Sequence, residues 1–313
     1  MELRVEAVGP VEPAEHRFPP TVVNRPARAL RSPLKVVAFN AQTGRHWRAI
    51  AQRLRRPPLA GADLVLISEA DWRMHRSGGH EIAAELAAEM GMSFAYAREF
   101  GVNRPGREIA SFLGNAILSS RPLTDVRVIR MPSLFLRRKI RRMVGAPTGL
   151  TAQINVNGRA IAVGMAHLNS RADPVGRETQ MRRYLASFPS GLPAIFGGDL
   201  NTTTVVLNGR RAFQAAALKF LLQPRRLRQP QLWEPLFERL AEAGFSIDGA
   251  NQPGKPTFTF SRAIPPFMRP KLDWIALRDL TPVPGSAAVV PARLSLASPR
   301  ISDHDFIVCD VMI

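Results

Sequence analysis

Short apolar runs that border small polar clusters recur along most of this chain. Leu34–Phe39 leads into Asn40, Asp63–Ser68 leads into Glu69, and Phe306–Cys309 follows a polar cluster of its own. Runs of this length, bounded by turn-forming residues, are typical of buried strands. Many such strands must be covered on both faces, which restricts the chain to layered folds of sheets and helices.

Helical stretches separate these predicted strands. The pattern predicts helices over residues 45–56, 80–90 and 174–188, and a β-hairpin that turns at Asn157-Gly158. Hairpin strands separated by helices predict a mixed α/β sandwich. A doubly wound nucleotide-binding fold is less favoured, because no Gly-x-Gly-x-x-Gly follows the first strand and no Gly-Lys-Ser/Thr phosphate loop occurs.

The composition bounds the organisation of the chain. Of its 313 residues 45% are hydrophobic, which is enough for a well-buried core. Cys309 is the one cysteine, so an intrachain disulfide and a cysteine-type zinc site are excluded. Residues 1–20 lack the apolar core of a signal peptide and no apolar run is long enough to span a membrane, so we expect a cytoplasmic protein. Pro-rich residues 1–33 predict an N-terminal arm, and residues 34–313 predict one domain.

The net charge of +18 comes from 43 Lys and Arg against 25 Asp and Glu. A surface this basic attracts polyanions such as nucleic acid, anionic lipid or phosphorylated metabolites. An arginine-rich composition without any anionic partner is the alternative interpretation.

Nine polar side chains lie at the ends of predicted strands or inside them. Three of them, Asn40, Glu69 and Asp303, offer hard oxygen ligands, which suit Mg²⁺ because it completes its shell with water and substrate phosphate. The whole set is Asn40, Glu69, His167, Asn169, Asp199, Asn201, Asp273, Asp303 and His304.

The other members of this set have the properties of acid–base and phosphate-binding groups. His304 can take a proton from water, and a carboxylate such as Asp273 would fix its tautomer. Asn201 and His167 are donors suited to the charge on a pentavalent phosphorus, and Asp199 could align the attacking water. These parts predict a metal-assisted hydrolase of phosphate esters.

Seven segments resemble the motifs of the endonuclease/exonuclease/phosphatase superfamily, which includes deoxyribonuclease I, abasic-site endonucleases, sphingomyelinases, inositol-phosphate phosphatases and deadenylases. Each segment is weak alone, but seven in the family's order form a specific signal. The resemblance implies an α/β fold of four layers, with two mixed β-sheets flanked by helices. The segments are Phe39-Asn40, Ser68-Glu69, Gly114-Asn115-Ala116-Ile117-Leu118-Ser119, His167-Leu168-Asn169, Gly197-Gly198-Asp199-Leu200-Asn201, Leu272-Asp273-Trp274-Ile275 and Ser302-Asp303-His304.

The resemblance also implies Mg²⁺ or Mn²⁺ between the sheet edges and a role for each matched side chain. Asn40 and Glu69 would lie at the metal, and His304 would act as the base, oriented by Asp273. Three further residues would act at the nucleophile and the phosphate: Asp199, Asn201 and His167. The family usually has glutamine where Ser68 precedes Glu69 in this chain.

Asp71 follows the predicted metal-binding segment closely. It could add a carboxylate near the metal or cap the next turn, and aspartate's preference for turn positions favours the cap. Asn169 and Asn115 are predicted to contact substrate. Arg177 opens the helix after His167 and could reach a phosphate, or it could be a solvated residue on the helix face.

The run Leu134–Met143 interleaves basic and large apolar residues. Its arginines could follow a phosphate backbone while Phe135 stacks on a base. The same run could lie on an anionic membrane or be a packed amphipathic segment with a solvated basic face. The predicted polyanion contacts are Arg137, Arg138, Arg141 and Arg142.

These observations predict a Mg²⁺-dependent phosphodiesterase, most simply a nuclease that acts on DNA or RNA as a monomer, with no obligate protein partner. The alternatives are a phospholipid or sphingomyelin phosphodiesterase and a phosphatase of a small phosphorylated metabolite. A non-catalytic binding module is disfavoured because no position of the expected set is missing.

Overall fold

The computed structural model describes residues 18–27, 33–102, 110–133, 143–205, 218–259, 268–295 and 297–313. The larger of its two sheets has the strand order β1-β4-β5-β3-β2-β14-β12, with β7 beside β4 and β13 beside β14. These strands are β1 (Thr21–Val23), β2 (Leu34–Thr43), β3 (Leu64–Trp72), β4 (Ser93–Val102), β5 (Phe112–Ser119), β7 (Met143–Gly145), β12 (Thr281–Pro282), β13 (Ala288–Val290) and β14 (Phe306–Met312).

The second sheet has the strand order β11-β10-β9-β8-β6. It contains the predicted hairpin, whose turn residues Asn157 and Gly158 have φ angles of 52° and 81°. Two positive φ angles match a tight turn that follows the twist of the strands. The strands are β6 (Thr124–Arg130), β8 (Thr148–Val156), β9 (Arg159–Ala166), β10 (Ala194–Asp199) and β11 (Asp273–Arg278).

Helices cover the outer face of each sheet. Helices α1 (Trp47–Leu54) and α2 (Ile82–Met90) pack on the first sheet, α3 (Pro174–Leu185) and α5 (Leu236–Glu242) pack on the second, and the short α4 (Arg225–Arg228) precedes α5. The predicted four-layered sandwich of two mixed sheets flanked by helices is therefore confirmed. The three long predicted helices are also present, each with narrower bounds than predicted. No helix in the described part of the chain is both long and apolar enough to cross a membrane.

Strand β2 shows why the layers form. Val37 and Phe39 pack against the helices of the first sheet, whereas Val36 and Ala38 pack between the two sheets. Successive strand side chains point to opposite faces, so a continuous apolar run supplies both cores. The sequence signal of an unbroken apolar run thus reports burial on both sides of the sheet.

The strand ends carry irregular backbone where the predicted site residues lie. The pairing of β2 with β3 shifts between Asn40 and Thr43, and the pairing of β3 with β5 shifts between Ile67 and Ala70. Glu69 in the second shift has a φ of 57°. A bulge changes the direction in which the side chains of a strand point. Left-handed backbone at a residue other than glycine is destabilising, so it persists only where the surrounding structure holds it. The fold therefore holds Glu69 in a conformation that a regular strand would not allow.

Part of the predicted N-terminal arm is attached to the domain. Thr21–Val23 forms β1, which pairs antiparallel with β4. Arg98 on β4 donates hydrogen bonds to Pro19 O at 2.7 Å and to Thr21 Oγ1 at 3.0 Å. The boundary predicted between residues 33 and 34 stays a prediction.

Candidate active site

A carboxylate–histidine pair lies where β10, β11 and the segment before β14 meet. His304 Nδ1 lies 2.8 Å from Asp273 Oδ2, and His304 Nε2 lies 3.6 Å from Asp199 Oδ2. Asp199 and Asp273 are opposite each other in the antiparallel pairing of β10 and β11. The bond to Asp273 assigns the Nδ1 proton and leaves Nε2 free for proton transfer.

The surroundings of this pair stabilise the imidazolium that forms when Nε2 takes up a proton. Burial disfavours the charged form of His304, but Asp273 and Asp199 outweigh that effect and raise its pKa to about 10. Burial also raises the pKa of Asp199, and the nearby charge of Asp273 acts in the same direction. Two carboxylates therefore compete for the positive charge of one imidazole.

A second carboxylate–histidine pair lies beside the first. His167 Nδ1 lies 3.2 Å from Glu99 Oε2, while its Nε2 lies 3.7 Å from Glu69 Oε1 and 3.8 Å from Asp199 Oδ2. Burial opposes the charge of His167, but Glu99, Asp199 and Glu69 raise its pKa to about 10. A cationic His167 is suited to donate a hydrogen bond to an anionic phosphate oxygen.

Glu99 is the member of this second pair that the sequence reasoning missed. It is 3% exposed, and burial raises its pKa. Ala95 and Ala97, at the same alternation in β4, pack between the two sheets. The period-two alternation of β4 could have revealed Glu99 from the sequence, because it places this carboxylate on the inward face of the strand, which is otherwise apolar.

Asn115 forms hydrogen bonds with both Glu99 and the backbone of Glu69. Its Nδ2 donates to Glu99 Oε2 at 3.2 Å and to Thr148 O at 2.9 Å, and its Oδ1 accepts from the Glu69 backbone N–H at 3.4 Å. Asn115 is fully buried. These bonds hold Asn115 against Glu99, Thr148 and the backbone of Glu69, and its predicted contact with substrate stays a prediction.

Glu69, Asp303 and Asn40 lie around the two carboxylate–histidine pairs. Both carboxylates are partly exposed; burial raises the pKa of Asp303, and the negative charge of Glu69 raises it further, against the opposing effect of His304. Asn40 Nδ2 donates to Asp199 Oδ2 at 3.0 Å, and its Oδ1 accepts from the Gln42 N–H at 2.8 Å. Repelling carboxylates beside an amide oxygen form a donor set that fits a hard divalent cation.

A different trio also presents closely spaced ligand atoms. Asp199, Asp273 and His304 offer atoms within 4.8 Å of one another, and Asp273 Oδ1 is buried without a hydrogen-bond partner. The Nδ1 atom of His304 is already committed to Asp273. Proton transfer therefore explains this trio better than metal binding does, and the more accessible Glu69 and Asp303 fit the cation.

The loop after β10 carries Asn201. The φ angle of Asn201 is 49°, its N–H donates to Asp199 Oδ1 at 2.9 Å, and its Nδ2 donates to Leu168 O at 2.8 Å. Asn169 is partly exposed in the neighbouring loop, where its Oδ1 accepts from Arg171 N at 2.9 Å.

The structure places Arg177 in neither of the environments that the sequence predicted for it. Its side chain is 0% exposed and forms two bonds with Glu234, Nε to Oε2 at 3.0 Å and Nη2 to Oε1 at 2.5 Å. An enclosed and paired guanidinium is not available to a substrate phosphate. Neither interpretation of Arg177, phosphate contact or solvated residue, is correct.

Two further predictions have different outcomes. Asp71 is neither a cap nor a metal neighbour in the structure, because it is buried and bonded through both oxygens to Arg76 at 2.8 and 2.7 Å. The four predicted polyanion contacts lie outside the described residues: Arg137, Arg138, Arg141 and Arg142.

The two-sheet sandwich with paired carboxylates and histidines at its strand ends defines a hydrolase of the deoxyribonuclease I-like class. Residues 37–304 match the family described as Endonuclease/Exonuclease/phosphatase family, and the chain belongs to that family. Members of this family are phosphodiesterases and phosphatases. Comparison with curated protein sequences gives no match.

Several solved structures share the fold. An endonuclease/exonuclease/phosphatase family protein from Leptotrichia buccalis C-1013-b has a TM-score of 0.60 at 14% identity, over 90% of this chain and 100% of that one. D. rerio TDP2 complexed with single strand DNA product gives 0.56 at 16%, over 90% and 100%. Sphingomyelinase C from Streptomyces griseocarneus gives 0.52 at 16%, over 90% and 99%. At these identities the likeness concerns the fold.

Proposed function

We propose that this protein is a divalent-metal-dependent phosphodiesterase that cleaves nucleic acid. The observation that carries the proposal is the hydrogen bond between His304 and Asp273, with the free Nε2 of His304 facing Asp199. A base held in one tautomer beside an acidic water-orienting group is suited to activate water.

In this proposal His304 takes a proton from the attacking water, which Asp199 orients. Asp273 stabilises the imidazolium that results, and a general base of this kind contributes ~10²–10⁴ in rate. His167 and Asn201 donate hydrogen bonds to the phosphate oxygens as negative charge develops on them. Removing one such donor costs ~10²–10³ in kcat.

Glu69, Asp303 and Asn40 would hold the metal. A bound Mg²⁺ or Mn²⁺ would neutralise phosphate charge and polarise the scissile ester. A readout independent of turnover is the melting temperature, which we expect Mg²⁺ or Mn²⁺ to raise in the wild type and to raise less in Glu69→Gln or Asp303→Asn. Glu238→Gln, on the exposed surface of α5, is the matched control. An equal rise in all four proteins would contradict this assignment.

Nucleic acid is the favoured substrate because the net charge is +18 and because the TDP2 structure of similar fold holds single strand DNA product. A phospholipid phosphodiesterase is the second candidate, favoured by the exposed leucines between residues 218 and 232 and by the sphingomyelinase of similar fold. A cytoplasmic location and a monomeric state belong to the proposal.

A substrate panel at one fixed salt concentration tests the proposal. It compares kcat/KM for single- and double-stranded DNA, RNA, an abasic-site duplex, sphingomyelin and inositol phosphates, with and without EDTA. We expect a nucleic acid to give the highest value and EDTA to abolish turnover. A higher kcat/KM on sphingomyelin than on any nucleic acid would make phospholipid the substrate class in place of nucleic acid. Full turnover in EDTA would overturn the metal-dependent mechanism.

A further inference from the structure

Residues 218–232, called here the leucine–arginine segment, expose an unusual amount of apolar surface. The exposed fractions are 59% for Leu218, 62% for Leu221, 74% for Leu222 and 62% for Leu232. Elsewhere in the described ranges, exposed large apolar side chains occur singly or as adjacent pairs. Scattered exposed leucines are ordinary, but a concentration of them rimmed by polar groups indicates an interaction surface.

The charges of this segment all have one sign. Lys219, Arg225 and Arg228 are exposed, and Arg226 lies over the Trp233 ring at 4.9 Å from its centroid. The sequence from residue 218 to 233 contains no aspartate or glutamate. Leucines beside uncompensated basic groups are the composition of segments that lie in the interface of an anionic membrane.

The centre of the leucine–arginine segment is packed against the domain and hydrogen-bonded to it. Leu227 is buried, and its carbonyl accepts from the Lys271 N–H at 2.8 Å. Lys271 immediately precedes Leu272 and Asp273, where β11 begins and the catalytic carboxylates lie. The anchored Leu227 thus leaves its leucine and arginine neighbours exposed at the end of the second sheet that carries the candidate site.

Nucleic acid fits this segment less well than lipid does. Lys219, Arg225 and Arg228 could each contact phosphates of either partner, but aliphatic leucines have no stacking counterpart among bases. In a membrane, leucine side chains enter the acyl boundary while arginines bind lipid phosphates. The exposed leucines therefore decide between the two.

We propose that the leucine–arginine segment docks this protein on the surface of an anionic phospholipid membrane. The proposal concerns where the protein works and holds whichever phosphodiester the site cleaves. It assigns insertion to Leu221 and Leu222, and headgroup contact to Arg225 and Arg228.

Co-sedimentation of the full chain with vesicles tests this surface. Vesicles of phosphatidylcholine alone are compared with vesicles that also contain phosphatidylglycerol, at low and high salt. We expect the wild type to sediment with the anionic vesicles only, and less at high salt. Leu221→Asp/Leu222→Asp should lower the vesicle affinity about tenfold or more. Arg225→Glu/Arg228→Glu should lower it mainly at low salt.

The control is Val175→Asp/Arg182→Glu, which makes one apolar-to-acidic and one basic-to-acidic change at exposed positions of α3. It should sediment like the wild type. Melting temperature and turnover of the soluble ester bis-p-nitrophenyl phosphate show whether each variant is folded and active, so a failure of docking is separable from a failure of the proposed function. Wild-type protein left in the supernatant with anionic vesicles would overturn the proposal.

Two other results would also overturn it. The first is undiminished sedimentation of Leu221→Asp/Leu222→Asp. The second is loss of single-stranded DNA affinity in Arg225→Glu/Arg228→Glu with unchanged vesicle binding, which would make the segment a nucleic-acid contact.

Discussion

Two groups of buried charges in this protein are arranged in opposite ways. The group at the candidate active site, called here the catalytic cluster for its proposed role, combines three carboxylates with two histidines: Glu99, His167, Asp199, Asp273 and His304. The Arg177–Glu234 pair matches one cation with one carboxylate, and Glu234 Oε1 also accepts from Thr204 N at 2.7 Å. The first group leaves Asp273 Oδ1 without a partner, whereas both oxygens of Glu234 are bonded.

The two arrangements suit different roles, proton transfer in the first group and stabilisation of the fold in the second. Buried charge that is balanced and fully hydrogen-bonded stabilises one conformation, in this case that of the loop from Asn201 to Thr204. Buried charge in unequal numbers leaves atoms free to exchange protons. Substitutions in the two groups should therefore affect different measurements.

The largest effect is expected on turnover in the catalytic cluster. His304→Ala removes the proposed base and should lower kcat by ~10²–10⁴ in protein that is still folded. His75→Ala, at an exposed loop histidine, is the matched control and should keep wild-type turnover. Unchanged kcat in His304→Ala would remove the distinction between the two groups.

The Arg177–Glu234 pair should show the opposite behaviour. Arg177→Ala leaves Glu234 buried and unpaired, which should lower the free energy of unfolding by ~3–5 kcal/mol in a denaturant titration. Arg177→Met/Glu234→Leu should recover most of that loss and retain a deficit of ~1–3 kcal/mol, because Thr204 N loses its acceptor. If the double variant is no more stable than Arg177→Ala, the unpaired charge of Glu234 is not what destabilises the single variant.

Lys271 lies between these extremes, and its behaviour depends on pH. It is 2% exposed, its Nζ donates to Gln252 O at 3.1 Å, and it lies 4.3 Å from the centroid of the Trp274 ring. Burial lowers its pKa to about 8, against the opposing effect of Asp273. Because the folded state disfavours the charged form, its contribution destabilises the protein below pH 8, and stability is regained as the pH rises from about 8 towards 10.5.

Lys271→Met should therefore be most favourable to stability at low pH. Its unfolding free energy relative to wild type should fall by ~3 kcal/mol as the pH rises across that window, at 1.36 kcal/mol per pKa unit. Denaturant titrations at pH 7 and at pH 10.5 measure the change. If the difference in unfolding free energy does not vary with pH, the folded state does not disfavour the charged form of Lys271.

The smallest effect is expected at Glu99. Glu99→Gln keeps a hydrogen-bonding oxygen beside His167 but removes the negative charge that raises the histidine pKa. We expect kcat to fall on the order of tenfold, less than the loss of a direct donor costs. Steady-state kinetics with a soluble ester measures it, and a loss as large as that of His304→Ala would place Glu99 among the groups that react directly.

The sequence predicted the layers and a set of candidate site residues at strand ends. Strand ends can be recognised in a sequence because a short apolar run stops there at polar, turn-forming residues. It failed for Arg177, since nearness to His167 along the chain says nothing of a partner 57 residues away in an irregular stretch. It missed Glu99 because a lone carboxylate within a strand pattern is more often on the solvent side. The shifts of register that turn Glu69 depend on neighbouring strands, which no local pattern contains.

The order in which the chain is synthesised constrains when this site can exist. Strand β14 pairs with β2, and Ser302 Oγ donates to Asn40 O across 262 residues of sequence. Contacts of such long range form late, after shorter loops have closed. A ribosome-bound chain shorter than His304 lacks the proposed base and strand β14 of the first sheet, so we expect the nascent protein to have no hydrolytic activity before His304 and β14 have been translated.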